Sequence, residues 1–321
     1  MSFLTSWLAS PLPDAAIQVA PEGVSVAVIG SSGREPVVQG YAIEPLPPGA
    51  VTPGLLGPNV PGRPAVVEAL RRALDRAGVR PRRVALVIPD RAARVSLVRF
   101  DRVPARHEDL DQLMRWQIRK AAPFPIEESS LTFDLSTRTP DGGAEFVAVL
   151  SRRDAVREYE SVCEEAGMQA GLVDLATLSV LNLFLASANA PQGDWLAIHA
   201  QPTYTSVVIL RGSDIIFFRN SAEGDDQDLA DMVHQTTMYY QDRLAGPGFA
   251  RVLLGGIGKA PGALDQMRLG LEGRLGGSVE LIDPTHAAAL TDRISASPEI
   301  LASLAPLVGV LVRTRAEAMS A

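Results

Sequence analysis

Residues 17–26 read IQVAPEGVSV, and residues 198–207 read IHAQPTYTSV. The two stretches share isoleucine, proline, serine and valine at matching places, and their residue numbers differ by 181 throughout. In each, two β-rich runs flank a tight turn that contains a proline, and a third β-rich run follows, at residues 37–43 and 214–219. The recurrence predicts a duplicated α/β body in which each half begins with strand, turn, strand, loop and strand.

The composition sets the class of protein. The chain has 321 residues, of which 46% are hydrophobic and 21% charged, so it can form substantial cores and is not a disordered protein. A formal net charge of −7 gives no overall basic field, and we therefore expect no nucleic-acid partner. The single cysteine, Cys163, excludes an intramolecular disulfide and fits a reducing, cytoplasmic compartment. The apolar stretch 301–312 is shorter than the roughly 20 residues that a membrane span needs.

A boundary at residues 192–194 separates the two halves. We predict an N-terminal tail (residues 1–14), a first half (15–190) and a second half (191–321) whose C-terminal helix returns to the first half. Further β-rich runs are expected at residues 83–88, 94–100, 131–135, 146–150, 251–254 and 278–282. Apolar spacing of three to four residues predicts helices at residues 67–77, 110–121, 154–166, 175–186, 229–240 and 301–312.

Two segments give the chain a family resemblance. Residues 41–51 read YAIEPLPPGAV and residues 118–128 read IRKAAPFPIEE, and both resemble segments of the PilM-type proteins of type IV pilus assembly, relatives of the actin-like cell-division protein FtsA. The order and spacing of RVALVIP at 83–89 and LLGG at 253–256 are similar as well. The resemblance implies an α/β fold of the actin-like ATPase type, a duplicated RNase H-like fold, with a small inserted subdomain near residues 80–165.

The resemblance also implies a partner and a location. Proteins of this type are adaptors that lie at the cytoplasmic face of the inner membrane and bind the short cytoplasmic tail of an inner-membrane pilus-assembly protein. We expect an extended peptide of such a protein in the groove between the first subdomain and the inserted one, where exposed strand edges suit backbone pairing. Peripheral membrane association, a homo-oligomer, and a type II secretion-like machine in place of a pilus remain open.

The family's nucleotide motifs are altered in both halves. The resemblance places a magnesium-organising aspartate at the positions of Gln18 and His199. Pro21 and Pro202 occupy the turns where backbone N–H groups would meet phosphate, and proline has no N–H. Glu22 adds a negative charge in the first turn. We therefore predict a pseudo-ATPase with no catalytic residue, no metal and no cofactor, although ATP with Mg²⁺, bound in a nucleotide switch or weak ATPase, is the alternative.

One part of the family's nucleotide-binding site, a glycine turn, is retained in the sequence. Gly255 and Gly256 follow a β-rich run and resemble the family's adenosine-side turn, so they are the candidate cofactor-binding residues, as a vestigial site. The alternative is a tight connection that needs glycine for purely structural reasons.

Other polar groups give weaker indications. The four histidines, His107, His199, His234 and His286, lack metal-ligand spacing. The acidic residues at 225–231 are typical of a helix start.

Residues 71–106 contain eleven arginines and three aspartates, a local charge of +8. That stretch either forms ordinary solvated faces or presents a basic surface to an anionic membrane or an acidic partner. Phe3, Leu4, Trp7 and Leu8 would lie on one face of an N-terminal helix that packs on the body or anchors the chain.

Overall fold

The computed structural model describes residues 13–32, 35–139, 141–186, 192–222, 229–257, 262–292 and 294–320. The predicted N-terminal helix face and the acidic residues 225–228 lie outside these ranges. No helix within the described part of the chain is long and apolar enough to cross a membrane.

Strands form most of the framework. They are β1 (Ala15–Ala20), β2 (Gly23–Ser32), β3 (Glu35–Pro45), β4 (Arg83–Ile88), β5 (Ala93–Phe100), β6 (Ser129–Arg138), β7 (Ala144–Arg152), β8 (Gln169–Leu175), β9 (Asp194–Gln201), β10 (Tyr204–Arg211), β11 (Asp214–Ala222), β12 (Arg251–Gly256), β13 (Glu280–Leu281) and β14 (Ala289–Leu290). The α-helices are α1 (Arg63–Ala77), α2 (His107–Ile118), α3 (Arg153–Glu165), α4 (Ala176–Leu185), α5 (Leu229–Leu244), α6 (Ala263–Leu275) and α7 (Pro298–Ser320).

Two sheets repeat one topology. The first has the order β14-β3-β2-β1-β4-β8, and the second has the order β11-β10-β9-β12-β13. In both, an antiparallel three-stranded meander is extended by strands parallel to its first member. Ala20 pairs with Gly23 across the first turn and Gln201 with Tyr204 across the second, so the register also repeats at a difference of 181. This confirms the duplicated fold predicted from residues 17–26 and 198–207.

Local sequence explains why α1 covers the first sheet. Pro64 lies in the first turn of the helix, where a backbone N–H would have no partner within the helix, so its missing N–H costs nothing. Val66, Leu70 and Leu74 recur at helical spacing and are buried against β2 and β3. Gly78 ends the helix with φ of +70°, a left-handed conformation that suits glycine.

The inserted subdomain has its own sheet and core. Its strands, in the order β5-β7-β6, lie between Ala93 and Arg152, and Phe100, Met114 and Phe146 are buried between this sheet and α2. The flanking elements β4 and α3 instead contribute to the core of the first half. The inserted sheet with its own core therefore takes up fewer residues than the subdomain expected near residues 80–165.

The C-terminal helix α7 contacts both halves. Leu304 and Val308 pack in one buried cluster with Val87 of the first sheet and Trp195 of the second. The helix crosses α4 very closely, because a Cβ placed on Gly309 would lie 1.8 Å from a carbonyl oxygen of α4. The helix thus packs against β1, β2 and β4 of the first half, to which the sequence predicted its return, and also against β12 of the second half.

Candidate functional site

A buried cluster of polar side chains joins the two halves at the ends of their strands. Asp90 follows β4, Thr177 begins α4, and His199 and Ser206 lie on β9 and β10. The Asp90 carboxylate accepts hydrogen bonds from the Thr177 backbone N–H (3.0 Å), the Thr177 hydroxyl and the Ser206 hydroxyl (2.5 Å). We call these four residues the cleft network. Their hydrogen bonds connect the first half directly to the second.

The hydrogen bonds fix the tautomer of His199. Thr177 has one hydroxyl proton, which it donates to Asp90, so its oxygen must accept from His199 Nδ1 at 2.8 Å. His199 Nε2 then accepts from the Gln201 side-chain amide at 2.7 Å. Such an imidazole is neutral, and burial agrees with this because it lowers the pKa of His199 to about 4.

The surroundings of the network are also buried. Burial raises the pKa of Asp90, although the hydrogen bonds from Ser206 and Thr177 oppose the change. Burial also raises the pKa of Tyr204 well above its usual range, and the Tyr204 hydroxyl accepts from the Asp90 backbone N–H at 3.4 Å. The Asn220 amide donates to the Ser206 hydroxyl at 2.8 Å and extends the network to β11.

Gln18 and His199, the two positions at which the family resemblance expects an aspartate, occupy equivalent places in the two hairpins. Gln18 pairs with Ser25 across the first hairpin, and His199 pairs with Ser206 across the second. Both Gln18 and His199 are buried. Glu22, in the first turn, is partly buried, and this burial raises its pKa.

The two candidate glycines end β12, where they pair with His199 and Ala200 of β9. Gly256 has φ of +112°, and a Cβ there would lie 1.8 Å from the Ala200 carbonyl oxygen. A Cβ on Gly255 would lie 2.8 Å from the Ile282 side chain. Strand packing therefore requires glycine at position 256, whether or not an adenosine binds beside it, and a side chain at position 255 would have to displace that of Ile282.

Sequence reasoning missed Asp90 and Thr177. An acid directly after the apolar run RVALVIP was a readable signal for Asp90, since strand ends of α/β folds gather polar groups. Thr177 carried no such signal, because it starts a helix of otherwise apolar residues.

A groove separates the inserted sheet from the first half. One cavity of about 380 Å³ lies between β6 and β7 on one side and β8 on the other. A second, of about 170 Å³, continues it along α4 towards β11. We call the two together the subdomain groove. Its apolar lining includes Ile88, Phe133, Val149, Leu172, Leu175, Leu178, Leu181 and Ile215.

Polar groups also face this groove. The side-chain nitrogen of Asn182 and Oδ2 of Asp174 are buried and have no hydrogen-bond partner among the described residues. A guanidinium nitrogen of Arg313 lies 3.6 Å from that Asp174 oxygen. Burial raises the pKa of Asp174, and the charge of Arg313 opposes this. The groove thus combines apolar walls with the Asp174–Arg313 ion pair and with an Asn182 side-chain nitrogen that has no hydrogen-bond partner among the described residues.

Cys163 and the histidines form no further site in the described chain. Burial, together with Glu160 and Glu164, raises the pKa of the Cys163 thiol to about 12. Among the described residues, no group of three His, Cys, Asp or Glu side chains is placed to hold a metal ion.

Comparison with known proteins agrees with this architecture. The family model described as type IV pilus assembly protein PilM matches residues 17–244. A structure of the PilM-PilN type IV pilus biogenesis complex contains a similar chain, with 19% identity, a TM-score of 0.79, and coverage of 96% of this chain and 99% of that one.

Two further solved structures are less similar to the chain. The cytoplasmic domain of EpsL, an inner-membrane component of the type II secretion system of Vibrio cholerae, is 12% identical with a TM-score of 0.48, covering 96% of this chain and 94% of that one. A Bacteroides thetaiotaomicron protein with an actin-like ATPase fold is 8% identical with a TM-score of 0.48, covering 85% and 91%.

The family match spans well over half of the chain, in the order and spacing that the sheets display. The repeated sheet topology, the inserted three-stranded sheet and this match lead to one conclusion. The chain has the actin-like ATPase fold and belongs to the PilM family of type IV pilus assembly proteins.

Proposed function

We propose that this protein is a non-catalytic cytoplasmic adaptor of a type IV pilus machine. It binds an extended cytoplasmic segment of a PilN-type inner-membrane protein in the subdomain groove. The observation that carries the proposal is the groove itself, which combines apolar walls with the buried, unpartnered amide nitrogen of Asn182. The match to a chain from a PilM-PilN complex along nearly its whole length supports the choice of partner.

The groove has the features that an extended peptide needs. β6 is an edge of the inserted sheet and β8 is an edge of the first sheet, and residues of both strands line the groove. Strand edges offer backbone N–H and C=O groups to an added strand. Apolar side chains of the peptide would pack on Leu172, Val149 and Leu178, and the Asn182 amide would donate to a peptide carbonyl.

The hairpin turns fit a magnesium–nucleotide complex poorly. Hard oxygen ligands are needed to organise Mg²⁺, and a neutral imidazole and an amide stand at the two strand positions instead. His199 is already hydrogen-bonded on both ring nitrogens, and Thr177 and Ser206 are bonded to Asp90. Because these groups are already bonded to one another, we propose that the adaptor acts without hydrolysing ATP.

Peptide titration tests the partner site. A fluorescent peptide with the cytoplasmic sequence of the PilN-type protein is titrated with the full chain and followed by fluorescence anisotropy. Thr132, exposed on β6, lines the groove, so Thr132→Arg should weaken binding at least tenfold by obstructing it. Thr137→Arg is the matched control, because Thr137 lies on the same strand beyond the groove lining. Equal affinity for both variants and the parent would contradict the proposal.

Calorimetry tests the absence of nucleotide chemistry. Mg-ATP is titrated into the parent protein and into His199→Asn. Micromolar binding that depends on Mg²⁺ and is lost on substitution of His199 would favour the nucleotide switch or weak ATPase over the silent adaptor.

A further inference from the structure

Trp116, near the end of α2, is the most exposed aromatic side chain in the described part of the chain. It is 61% exposed, whereas Leu110, Met114 and Ile118 of the same helix are buried against the inserted sheet. Trp116 therefore lies on the outer face of α2. An indole ring is large and mostly apolar, so leaving it in water forgoes more burial than any other side chain would. Its exposure suits a contact with something outside the chain.

Positively charged side chains surround this ring. Lys120 Nζ lies 5.7 Å from the centre of the Trp116 ring, a cation–π contact. Arg119 follows Trp116 by three residues with helical backbone angles, so it lies on the same face of the helix. The Arg94 side chain reaches this place from β5, because it donates to the Ala121 carbonyl oxygen at 3.0 Å. We call Arg94, Trp116, Arg119 and Lys120 the tryptophan patch.

The cations of the patch do not neutralise acids of the fold. All three are exposed, and none of them has an ion-pair partner among the described residues. Other arginines of the basic stretch are used differently, since Arg72 and Arg76 both contact the buried carboxylate of Glu44. The basic stretch thus forms no single surface, and the positive charge of the patch is available to an external partner.

The acidic side chains of this subdomain lie to either side of the patch. Asp109, in the first turn of α2, precedes Trp116 by seven residues, or roughly 10 Å along the helix axis. Salt screens exposed charges over about that distance. The two glutamates at residues 127–128 have Arg152 and Arg153 beside them. The local charge around the ring is therefore positive.

We propose that the tryptophan patch binds the surface of an anionic phospholipid membrane. Tryptophan favours the boundary between headgroups and acyl chains, where its ring enters an apolar layer and its N–H still reaches a polar partner. Lysine and arginine beside it are attracted by anionic headgroups. The long side chains of Arg119 and Lys120 let their charges stay among the headgroups while the ring inserts.

The composition of the patch favours a lipid surface over a protein partner. Protein interfaces commonly bury about 800 Å² on each side around several packed anchor residues. Across α2 and residues 119–128, all of them described, Trp116 is the only large hydrophobic side chain that is exposed. One ring among three cations matches an anionic bilayer in charge and offers little for a second protein to pack against.

The patch lies on the side of the inserted sheet that faces away from the subdomain groove. Phe146 of β7 packs with the α2 residues, whereas Val149 of the same strand lines the groove. Lipid and partner peptide would thus contact opposite faces of one small subdomain. The lipid contact does not need the peptide, so it goes beyond the adaptor function and is tested apart from it.

Vesicle sedimentation tests the proposal with the full chain. We expect the protein to sediment with vesicles of equal parts phosphatidylglycerol and phosphatidylcholine, less so as salt is added, and not with phosphatidylcholine alone. Trp116→Ala and Arg119→Gln should each weaken binding about fivefold, and Arg119→Lys, which keeps the charge, should bind like the parent. Arg106→Gln is the matched control, because it removes one exposed charge at the opposite end of α2. Thermal melts verify that each variant folds.

Three outcomes would overturn the proposal. The first is no sedimentation of the parent with the anionic vesicles, which leaves peptide binding, and with it the adaptor function, intact. The second is vesicle binding that Trp7→Ala abolishes and that Trp116→Ala and Arg119→Gln leave unchanged, because the N-terminal segment would then be the anchor. The third is loss of PilN-type peptide affinity in the patch variants without any vesicle binding, which would make the patch a protein-contact surface.

Discussion

The most informative perturbation of the cleft network is His199→Asn, measured as a function of pH. The asparagine amide keeps a donor close to the position of Nδ1, so the hydrogen bond to Thr177 can persist while the titratable group is removed. The parent imidazole is neutral and buried between two hydrogen bonds. The variant therefore isolates the effect of proton binding at this residue on the stability of the fold.

The expected change in the free energy of unfolding follows from the pKa values of His199 in the unfolded and the folded protein. The imidazole has a pKa of 6.5 when solvated, as in the unfolded chain, and burial lowers it to about 4 in the folded protein. Between these values the unfolded chain binds a proton and the folded protein does not, so falling pH favours unfolding. At 1.36 kcal/mol per pH unit, the residue removes about 3 kcal/mol of stability between pH 6.5 and pH 4. Carboxylates such as Asp90 titrate in both proteins and largely cancel in the difference.

Urea denaturation followed by tryptophan fluorescence gives the required free energies of unfolding. We expect the parent to lose about 3 kcal/mol relative to His199→Asn as the pH falls from 7 to 4. His234→Asn is the control for losing an imidazole as such, because His234 is exposed on α5, and it should follow the parent. A parent-minus-variant difference that stays within about 1 kcal/mol over the whole range would refute the assignment of His199 as a buried neutral base.

Three further predictions concern packing. Gly256→Ala should lower the free energy of unfolding by about 3 kcal/mol or more, because its Cβ would lie 1.8 Å from the Ala200 carbonyl oxygen. Gly276→Ala is the control and should cost only about 1 kcal/mol, because its Cβ would have no neighbour within 4 Å. Similar melting temperatures for the two variants would contradict this. Asp194→Ala should cost about 2 kcal/mol in chemical denaturation, since it removes a buried acceptor of the Tyr240 hydroxyl and the partner of the half-exposed Arg211; an unchanged free energy of unfolding would contradict this. Iodoacetamide at pH 8 should label Cys163 far more slowly in the folded protein than in urea, because the thiol is buried with a pKa raised to about 12; equal rates would show that the helix opens.

The duplicated fold was readable in the sequence because it depends on local patterns. The turns at Pro21 and Pro202 sit in alternating apolar runs, and hairpins of this kind form between neighbours in the chain. Repeating the pattern at a constant spacing then predicts two sheets with the same strand order. The edges of the inserted sheet were less predictable, because β4 and α3 have the same apolar periodicity whichever core they enter.

The candidate sites depend on contacts between distant residues. Asp90 and Thr177 are 87 positions apart, and the sequence gives no rule that brings them together. The sequence shows only that His199 replaces an aspartate of the family. That His199 helps to join the halves follows from its hydrogen bond with Thr177 of the other half, which the sequence does not predict.

The direct test of the adaptor account is the steady-state rate of ATP hydrolysis by the complex of this protein with the cytoplasmic segment of the PilN-type protein. The two are mixed at concentrations where anisotropy shows the peptide to be bound, and phosphate release is followed with Mg-ATP. The account predicts a stable complex and no release above the rate in buffer. Turnover by the complex that disappears in His199→Asn would contradict it.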